Sequence, residues 1–517
     1  MPNYLTPGVY VEEVPSAQAP IEGVATAVAA FVGLAPGGPI NEPQRIASWA
    51  DFTALFSDSS EPDAGPFMEG AYLAHSVYGY FENGGQICWV VRVGAEAEPA
   101  PARALLAPPG TNGANTLHAA SVAPDAPGPI VVDVREEGDA GADSGERKPG
   151  DAKPSYTLDI TGPGGETEKL EGLKLQSLVK EVNARSTLVR LESSGALKSL
   201  EPGTYRLEKP APELDGIDAE AIVGDTARRE GLGCLAAIDE ITMVCVPDAV
   251  TLAPTGDDTA LRAVQSAIVS HCEGAGDRMA ILDPPLSARR PQEILSWRAD
   301  AIPESKFATL YYPWIQVRDP IGKGPVLIPP SGHMAGIWAR TDATRGVHKA
   351  PANEVVRGAT GLSFLLAQAE QGQLNLEGIN CVRTFPGRGA VVWGARTLSK
   401  SQPEWRYLNV RRLFNYISES IIRGTGWAVF EPNDERLWLR LQVSTSSFLT
   451  RIWRDGALFG ATPGEAFYVK CDSQNNRPED IDAGRVTIEV GISPVKPAEF
   501  VVFQISQFTA GAAELAA

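Results

Sequence analysis

The sequence lacks long apolar runs, an export signal and an excess of basic residues. None of its apolar runs approaches the roughly 18 uninterrupted residues that a membrane-spanning helix requires. The N-terminal segment MPNYLTPGVYVEEVP has neither the basic nor the apolar region of a secretory signal peptide. The 45 basic residues are outnumbered by 64 acidic ones, giving a net charge of −19. Because such a surface repels phosphate backbones, we expect no nucleic-acid partner. Because no apolar run is long enough, we also expect no direct membrane insertion.

Cysteine and histidine are scarce and scattered. The adjacent His271 and Cys272 would point about 100° apart on a helix, which disfavours a shared metal ion. His333 lies where a turn leads into a predicted helix, and we favour a histidine bonded to the backbone over a general base. No C-x-x-C pair occurs, so we expect six reduced core cysteines: Cys88, Cys234, Cys245, Cys272, Cys381 and Cys471.

Motifs of the common enzyme classes are also missing. The sequence contains no G-x-x-x-x-G-K-[ST], H-E-x-x-H or G-x-S-x-G pattern. The glycine-rich GPGGETEK at 162–169 is interpreted as a turn. An α/β enzyme would have to use the region between Asp239 and Asp283, where VPDAV and LDPPL offer no nucleophile and base. We therefore predict a chain that is not an enzyme and that has no cofactor and no metal.

Aromatic residues are nearly absent from one long internal segment. Of 38 Phe, Trp and Tyr residues, only Tyr156 and Tyr205 fall between Ala95 and Glu230. Because little there can be buried, residues 95–230 are predicted to form an inserted domain on the outer surface. Within it, YTLDITG predicts a strand and LEGLKLQSLVKEVNARS predicts an amphipathic helix.

The flanking segments alternate between strand and helix patterns. Ser48 is a predicted N-cap for a helix with Phe52 and Phe56 on one face. The alternation predicts an α/β core domain with a mixed sheet and flanking helices, formed by residues 21–94 and 231–379. The runs that predict its buried strands are VATAVAAFVGL, QICWVVRV, ITMVCVP, RMAILDP and FATLYYP.

Residues 380–517 combine helical and strand patterns and predict a C-terminal α+β domain. Apolar stripes at helical spacing predict one helix over 403–424 and a second that contains Leu437, Leu441, Phe448 and Ile452. In the alternating RVTIEVGI that follows, three apolar side chains face one way, as in a half-solvated sheet: Val486, Ile488 and Val490.

Both ends of the chain carry an isolated strand pattern. Residues Gly8 to Val14 read GVYVEEV, and prolines separate them from the first domain. FVVFQIS at 500–506 follows Pro494 and Pro497 in the same way. An unpaired strand exposes its backbone groups, so each segment is predicted to join a sheet elsewhere. A sheet in another copy of the chain and an ordinary edge within the same chain remain equally open.

Several long segments resemble one protein family. YLTPGVYVEEVP, VATAVAAFVGLAPGGPINEPQRIASWADFTALF and YFENGGQICWVVRV resemble the N-terminal part of phage-type contractile tail sheath proteins. The stretch from YLNVRRLFNY to AFYVKCD, with RVTIEVGISPVKPAEFVVFQISQ after it, resembles the C-terminal region of that family more closely. The resemblance covers residues 1–94 and about 231–517, and leaves out 95–230.

The resemblance implies a structural polymer. Sheath subunits assemble as stacked rings, with six-fold symmetry implied, around an inner tube. They contract from a metastable extended state and so drive the tube through a target envelope. The implied partners are further copies of the chain, the tube, and baseplate and terminal cap proteins. The implied location is a phage tail or a bacterial cytoplasm that holds assembled injection-system particles, and the sequence does not choose between them. A non-contractile self-assembling structural protein is the main alternative.

The resemblance also implies roles for particular residues, because sheath subunits complete the C-terminal domain of a neighbour by strand exchange. Arg411, Arg412 and Arg423 are candidate contacts to the tube, since they lie on a basic helix of an acidic protein. The implied strand-exchange residues are Val9, Tyr10 and Val11 in the N-terminal arm (residues 1–20), Phe500, Val502 and Phe503 in the C-terminal donor, and Val486, Ile488 and Val490 in the recipient sheet.

Overall fold

The continuous apolar runs of the sequence become the buried strands of one large sheet. The computed structural model describes residues 20–57, 65–94, 102–107, 116–123, 129–137, 155–194, 200–207, 218–253, 257–319 and 324–502. None of the helices within these ranges is long and apolar enough to cross a membrane. All six cysteines are buried and unpaired, as predicted.

The described strands fall into five sheets. In chain order they are β1 (Ala29–Gly33), β2 (Gln44–Ile46), β3 (Cys88–Arg92), β4 (Arg103–Ala107), β5 (Leu117–Ser121), β6 (Ile130–Glu137), β7 (Ser155–Thr161), β8 (Thr167–Lys174), β9 (Val189–Ser193), β10 (Gly203–Leu207), β11 (Met243–Cys245), β12 (Met279–Leu282), β13 (Ala308–Tyr312), β14 (Ile315–Arg318), β15 (Pro325–Ile328), β16 (Glu354–Val355), β17 (Ala359–Leu362), β18 (Ile379–Phe385), β19 (Gly389–Val392), β20 (Phe467–Lys470) and β21 (Glu489–Ile492).

The described helices lie mainly in the core and in the C-terminal region. They are α1 (Trp49–Phe56), α2 (Leu73–Glu82), α3 (Leu178–Arg185), α4 (Ala219–Val223), α5 (Thr259–Ala275), α6 (Pro291–Ala301), α7 (Ser331–Arg345), α8 (Gln368–Leu376), α9 (Leu408–Gly424), α10 (Glu435–Arg454), α11 (Pro463–Ala466) and α12 (Pro478–Asp482). Ser48 caps α1 by accepting a hydrogen bond from the Asp51 N–H at 3.1 Å, and Phe52 and Phe56 are fully buried, as predicted.

The large sheet has the strand order β16-β19-β18-β13-β12-β11-β1-β3-β2. Its six central strands, from β18 to β3, pair in parallel, while β2, β19 and β16 pair antiparallel at the two edges. Strands β1, β12 and β13 are buried at every position, as expected for strands covered on both faces. The predicted α/β core with a mixed sheet is thereby confirmed.

Helices α2 and α7 cross at very short range beside this sheet. A Cβ atom on Gly332 would lie 2.4 Å from the Ser76 carbonyl oxygen, and one on Gly336 would lie 2.4 Å from that of Tyr80. Only glycine fits at such positions without a shift of the backbone. The spacing of these glycines, four residues apart on one face of α7, therefore sets how closely the two helices pack.

The segment between the two halves of the core has a hydrophobic cluster of its own. Strands β4, β5 and β9 form one sheet, and β10, β6, β7 and β8 form another. Their buried side chains, from Leu106 to Leu207, form a cluster separate from the main core. The prediction set the end of this segment at residue 230, but the structure differs. Ile222 of α4 is fully buried in the main core, and α4 packs against α5.

One predicted helix in this segment is half wrong. LEGLKLQSLVKEVNARS divides into the end of β8 and the short helix α3. Leu170 and Leu173 are both buried although they are three residues apart in a strand, because the pairing of β8 with β7 shifts its register between them. Gly172, with φ of +70°, lies at this β-bulge. The bulge thus places two leucines three residues apart on one face of a strand, a spacing that is otherwise typical of a helix. The turn predicted at 162–169 is present, since the Gly162 N–H donates to the Glu166 carbonyl at 2.8 Å.

The C-terminal region is built on α9 and α10. Leu437, Leu441, Phe448 and Ile452 are buried, as the apolar stripe of α10 predicted. A short antiparallel pair, β20 and β21, packs beside α10. The first predicted helix begins later than expected, at Leu408, after a 3-10 turn over Pro403–Trp405.

Candidate functional site

The described part of the chain begins on the surface of α9 and α10 and then enters β1. Ile21 is 1% exposed and packs with Leu413, Ile417 and Phe448. Its carbonyl oxygen accepts a hydrogen bond from the Arg451 guanidinium, and the Val24 N–H donates to Ser420 Oγ at 3.2 Å. The predicted arm residues Val9, Tyr10 and Val11 lie outside the described residues. Residues 21–24 therefore attach that end of the chain to the C-terminal helices.

At the other end, the chain leaves β21 and crosses to the core. The Val495 N–H donates to the Ala457 carbonyl at 3.2 Å, and Glu499 then forms an ion pair with Arg396 at 2.6 Å. The next three side chains are strongly exposed: Phe500 at 74%, Val501 at 71% and Val502 at 80%. Phe503 lies outside the described residues. The predicted donor strand thus leaves the core with apolar side chains in solvent. No local sequence pattern marks Glu499 and Arg396 as partners, because they lie 103 residues apart.

The predicted recipient sheet has only two strands in the described part of the chain. Phe467 pairs with Ile492, and Val469 pairs with Val490, in antiparallel register. Their side chains lie in the cluster that Phe448 and Ile452 of α10 form. Two-stranded sheets are marginally stable by themselves, and an unpaired edge offers N–H and C=O groups to a further strand.

The structure places the three predicted recipient residues in two clusters. The alternation of RVTIEV is present, since Val486, Ile488 and Val490 are half-buried while their neighbours are exposed. Only Val490 lies in a strand. Val486 and Ile488 precede β21 and pack against Leu437, Trp438, Leu441 and Cys471. A role in strand exchange stays a prediction for all three.

The candidate tube contacts have very different surroundings. Arg411 is 8% exposed, and its guanidinium lies 4.4 Å from the centre of the Trp405 ring. Burial lowers its pKa to about 10. Arg412 is 4% exposed and binds both carboxylate oxygens of Asp342, at 3.0 and 2.5 Å. In this conformation both guanidinium groups face the interior of the chain, which leaves Arg423 as the exposed member of the set.

Arg423 lies at the mouth of a cleft between the core and α9. Its Nε donates to Glu419 at 2.6 Å, and its Nη2 donates to the Asp239 carbonyl at 2.6 Å. The cleft is also lined by Glu240, Asp277 and Arg412. These contacts link the C-terminal helices to the N-terminal ends of the core strands. The tube contact itself stays a prediction, and Arg423 alone has the exposure that it requires.

The carboxyl ends of β11 and β12, where an α/β enzyme would carry its site, hold two buried aspartates. Asp248 accepts hydrogen bonds from the Leu34 N–H at 2.6 Å and from the Tyr72 N–H at the start of α2. Asp283 accepts one from the Ser331 N–H at the start of α7, at 2.9 Å. Burial raises the pKa of Asp248 to about 6 and that of Asp283 to about 7. Both carboxyl groups thus anchor helix N-termini, whose N–H groups offset part of the cost of burying their charge.

His333 differs from its prediction as a histidine bonded to the backbone. It is the third residue of α7, is 1% exposed, and neither ring nitrogen has a hydrogen-bond partner in the described structure. The ring faces Gly79 of α2. Burial, with a contribution from His75, lowers its pKa to about 3. A neutral ring is therefore held between α2 and α7.

His333 should make the stability of the core depend on pH. A histidine whose pKa is lowered on folding favours the folded state above about pH 6.5, and this contribution is lost as the pH falls toward 3. We expect the wild-type chain to lose about 2 kcal/mol more than His333→Gln between pH 7.5 and pH 5. Urea unfolding followed by tryptophan fluorescence at several pH values measures this difference.

Asp248 and Asp283 have raised pKa values and act in the opposite direction, stabilising the fold as the pH falls. His75, whose pKa burial also lowers, acts in the same direction as His333. The two aspartates are present in both proteins and cancel in the comparison, while His75 makes both proteins less stable as the pH falls. Parallel pH profiles for the two proteins would contradict the assignment.

Comparisons with known proteins follow the same division of the chain. A family profile described as the phage tail sheath protein central domain matches residues 230–398. A second, described as the phage tail sheath C-terminal domain, matches residues 400–508. Together these two matches cover more than half of the chain and contain the core strands from β11 onward and the C-terminal elements from α9 to β21.

Curated relatives carry the same description. The tail sheath protein of Burkholderia phage BcepMu is 24% identical over 517 residues, covering 97% of this chain and 96% of the relative. The tail sheath protein of Vibrio phage KVP40 is 29% identical over 177 residues, or 34% of this chain and 26% of that protein. That of Salmonella phage ViI is 24% identical over 209 residues, or 40% and 32%. The chain thus spans at most a third of the length of the last two relatives.

Solved structures share the fold over nearly the whole chain. The sheath complex of an extracellular contractile injection system, PVC, in its contracted state has a TM-score of 0.58 at 24% identity and covers 98% of this chain and 99% of its own. The contracted helical sheath of the anti-feeding prophage has a TM-score of 0.56 at 25% identity and covers 97% and 99%. With more than half of the chain matched by the two sheath profiles, over the second part of the core and the C-terminal region, the chain belongs to the phage tail sheath family.

Proposed function

We propose that this chain is the structural subunit of a contractile sheath, held together by strands exchanged between copies. The observation that carries the proposal is the two-stranded sheet β20–β21, which has an open edge and lies beside α10. An extended segment can add to such an edge through backbone hydrogen bonds. The sequence provides two candidate segments, residues 8–14 and residues 500–506.

The two edges of this sheet are not equivalent. Gln442 of α10 donates to the Val469 carbonyl of β20 at 3.0 Å, and Asn475 donates to the Lys470 carbonyl at 2.8 Å. Within the described residues, no side chain bonds to the backbone of β21. A strand from another copy therefore meets less competition at β21. We propose β21, with Val490 at its centre, as the edge that receives a donated strand.

The two ends of the chain are proposed to be the donated strands because of where each end is attached to the rest of the chain. Residues 21–24 are fixed to α9 and α10, so the segment that contains Val9, Tyr10 and Val11 starts from the C-terminal helices. Phe500 and Val502 start from the core surface with more than 70% of each side chain exposed. Backbone pairing can then link subunits while their globular parts change orientation.

In this proposal the subunits stack as six-fold rings around an inner tube and connect to baseplate and terminal cap proteins. The assembled sheath stores energy in an extended packing and releases it in a contracted one, which requires two packings of the same subunits. Assembly supplies that energy, so the proposal includes no catalytic role and no cofactor. The particle is a phage tail or an injection system within a bacterial cytoplasm.

The tube-facing surface is proposed to include Arg423 and the exposed side of α10. This helix carries four arginines and one acidic residue, Glu435, in a chain of net charge −19. Leu439 and Val443 add apolar area, at 60% and 58% exposure. A basic surface with apolar positions is complementary to an acidic tube.

Charge reversal at Arg423 and Arg436 should therefore weaken co-purification of the tube by at least tenfold at physiological salt. The expected cause is repulsion between the reversed side chains and the acidic groups that this proposal assigns to the tube surface. Pull-down of a co-expressed tube protein over a salt series measures it. Charge reversal at Arg485, which is exposed outside the helical pair, is the matched control. Equal retention of the tube by both variants would remove α10 from the interface.

Negative-stain electron microscopy of the chain, alone and co-expressed with its tube protein, tests the sheath proposal. Hollow striated tubes that change from a long, narrow form to a short, wide one would support it. Tubes of one fixed length and width under contracting conditions would favour the non-contractile alternative. Monodisperse monomers in both samples would contradict a sheath function.

The segment with the separate hydrophobic cluster is proposed to decorate the outer surface of the sheath. Residues 95–230 carry a net charge of −9, and the segment buries its own core between Leu106 and Leu207. We expect replacement of residues 95–217 by a Gly/Ser linker to leave assembly and the urea midpoint of the core unchanged.

Replacement of residues 95–230, by contrast, should destabilise the core by about 2–5 kcal/mol, because it also removes the buried Ile222. Electron microscopy and urea unfolding of the two variants make the comparison. Loss of assembly in the shorter deletion would place the segment inside the polymer rather than on its surface.

A further inference from the structure

Glu499 is the point at which the C-terminal segment is held to the core. Its carboxylate accepts hydrogen bonds from Arg396 Nε at 2.8 Å, Arg396 Nη2 at 2.6 Å, Asn375 Nδ2 at 2.8 Å and the Tyr407 hydroxyl at 3.3 Å. These donors come from α8, from the segment after β19 and from the start of α9. Hydrogen bonds between ionised groups in this fork geometry are among the strongest in proteins.

The backbone of Arg396 is itself held by hydrogen bonds to buried side chains of the core. The Arg396 N–H donates to Asn380 Oδ1 at 2.7 Å, and its carbonyl accepts from Asn380 Nδ2 at 2.8 Å and from Thr309 Oγ1 at 2.9 Å. Asn380 and Thr309 are fully buried in β18 and β13. The guanidinium also donates to the Asn375 carbonyl at 2.8 Å. Glu499 is therefore bound to a part of the core that the central sheet holds rigid.

The residues on either side of Glu499 are less firmly held to the core. Among the described residues 496–502, Glu499 is the one whose hydrogen bonds to the rest of the chain are observed. Lys496, Ala498 and Phe500 are exposed. The direction in which Phe500, Val501 and Val502 leave the core thus depends on one ion pair and the two neutral donors beside it.

We propose that Arg396 and Glu499 form a clamp that sets where and in which direction the C-terminal segment leaves the subunit. They act as positioning residues for donation of that segment to a second copy of the chain. The inference rests on the proposed strand exchange and adds the element that directs it. A segment whose exit is fixed loses less conformational freedom when it pairs with a neighbour, so the clamp should strengthen assembly.

The position of the segment can be measured without any assembly. Because all six native cysteines are buried, nitroxide labels can be directed to cysteines introduced at Ser401 and Val502. Electron–electron distance measurements on the monomeric full-length chain should give a narrow distribution. Glu499→Gln should broaden it, Glu499→Asp should give an intermediate width, and the exposed control Glu404→Gln should leave it narrow.

Assembly gives the second readout. Glu499→Gln should raise the protein concentration at which sheaths form by tenfold or more, while Glu404→Gln should not. Urea midpoints show whether Glu499→Gln is folded. If it is not, the assembly of Glu499→Asp is compared with that of the unaltered chain instead. An unchanged distance distribution in Glu499→Gln would overturn the clamp. If the distribution broadens but the unaltered chain forms no sheath, the clamp stands as a structural element, and its role in strand donation fails together with the proposed function.

Discussion

A variant that lacks residues 1–20 is expected to remain folded and to form no ordered assemblies. The described contacts begin with the buried Ile21, so the truncation keeps all of the described packing in the core and around α9 and α10. It does remove the segment GVYVEEV, which is proposed to pair with β21 of another copy. Circular dichroism and sedimentation should show a folded monomer, and electron microscopy with co-expressed tube should show no sheath.

The matched control is a variant that lacks residues 1–7 and keeps Gly8 to Val14. It should assemble as the full chain does, because the strand-forming residues are retained. Substitution of Tyr10 by proline in the full chain should resemble the longer truncation, since proline has no N–H to donate and does not fit a central strand. Sheaths formed by the variant without residues 1–20 would show that the arm is not needed.

The second large effect is expected at the buried pair of Arg412 and Asp342. Their side chains are each 4% exposed, and the guanidinium binds the carboxylate through two nitrogens. It also donates to the Thr26 carbonyl at 3.0 Å and lies over the Trp338 ring at 4.7 Å. Removal of one partner leaves a buried charge alone, so Asp342→Ala should cost about 3–5 kcal/mol of unfolding free energy.

Urea unfolding of Asp342→Ala and of the double variant Arg412→Met with Asp342→Leu completes the comparison. The double variant should recover much of the loss, because well-packed apolar side chains often replace a buried ion pair at little cost. Glu419→Ala, which breaks the exposed pair with Arg423 on the same helix, should change the free energy by less than about 1 kcal/mol. A small effect of Asp342→Ala, similar to that control, would mean that the pair is not important for stability.

The large sheet was predictable because its strands are buried on both faces. In β1, β12 and β13 every position is buried, so the local sequence is a continuous apolar run. The stripe of α10 was predictable for a related reason, since one side of the helix packs while the other is exposed. In both cases the information lies within a few consecutive residues.

The roles of Arg412 and Glu499 depend on residues far away in the chain and could not be predicted. Asp342 is 70 residues from Arg412, and Arg396 is 103 residues from Glu499. Local spacing places Arg412 on α9 but does not show that the first half of this helix lies against both α7 and the N-terminal segment. A basic helix in an acidic chain therefore suggested a surface contact where the structure has an internal ion pair.

The helix misassigned near residue 172 has a different cause. Leucines three residues apart are the usual mark of a helix, and here a glycine with φ of +70° places both of them on the same side of a strand. Periodicity alone does not separate a bulged strand from a short helix. The glycine between the two leucines was the available signal.

Asp248 and Asp283 also change what the large sheet can do. In open α/β sheets, the carboxyl ends of the strands and the helix N-termini beside them commonly receive phosphate or carboxylate groups of a ligand. Here two carboxylates of the chain itself bind the starts of α2 and α7. They act as ligands that are covalently tethered and cannot dissociate. The attachment of these two helices to the sheet is therefore independent of the concentration of any small molecule.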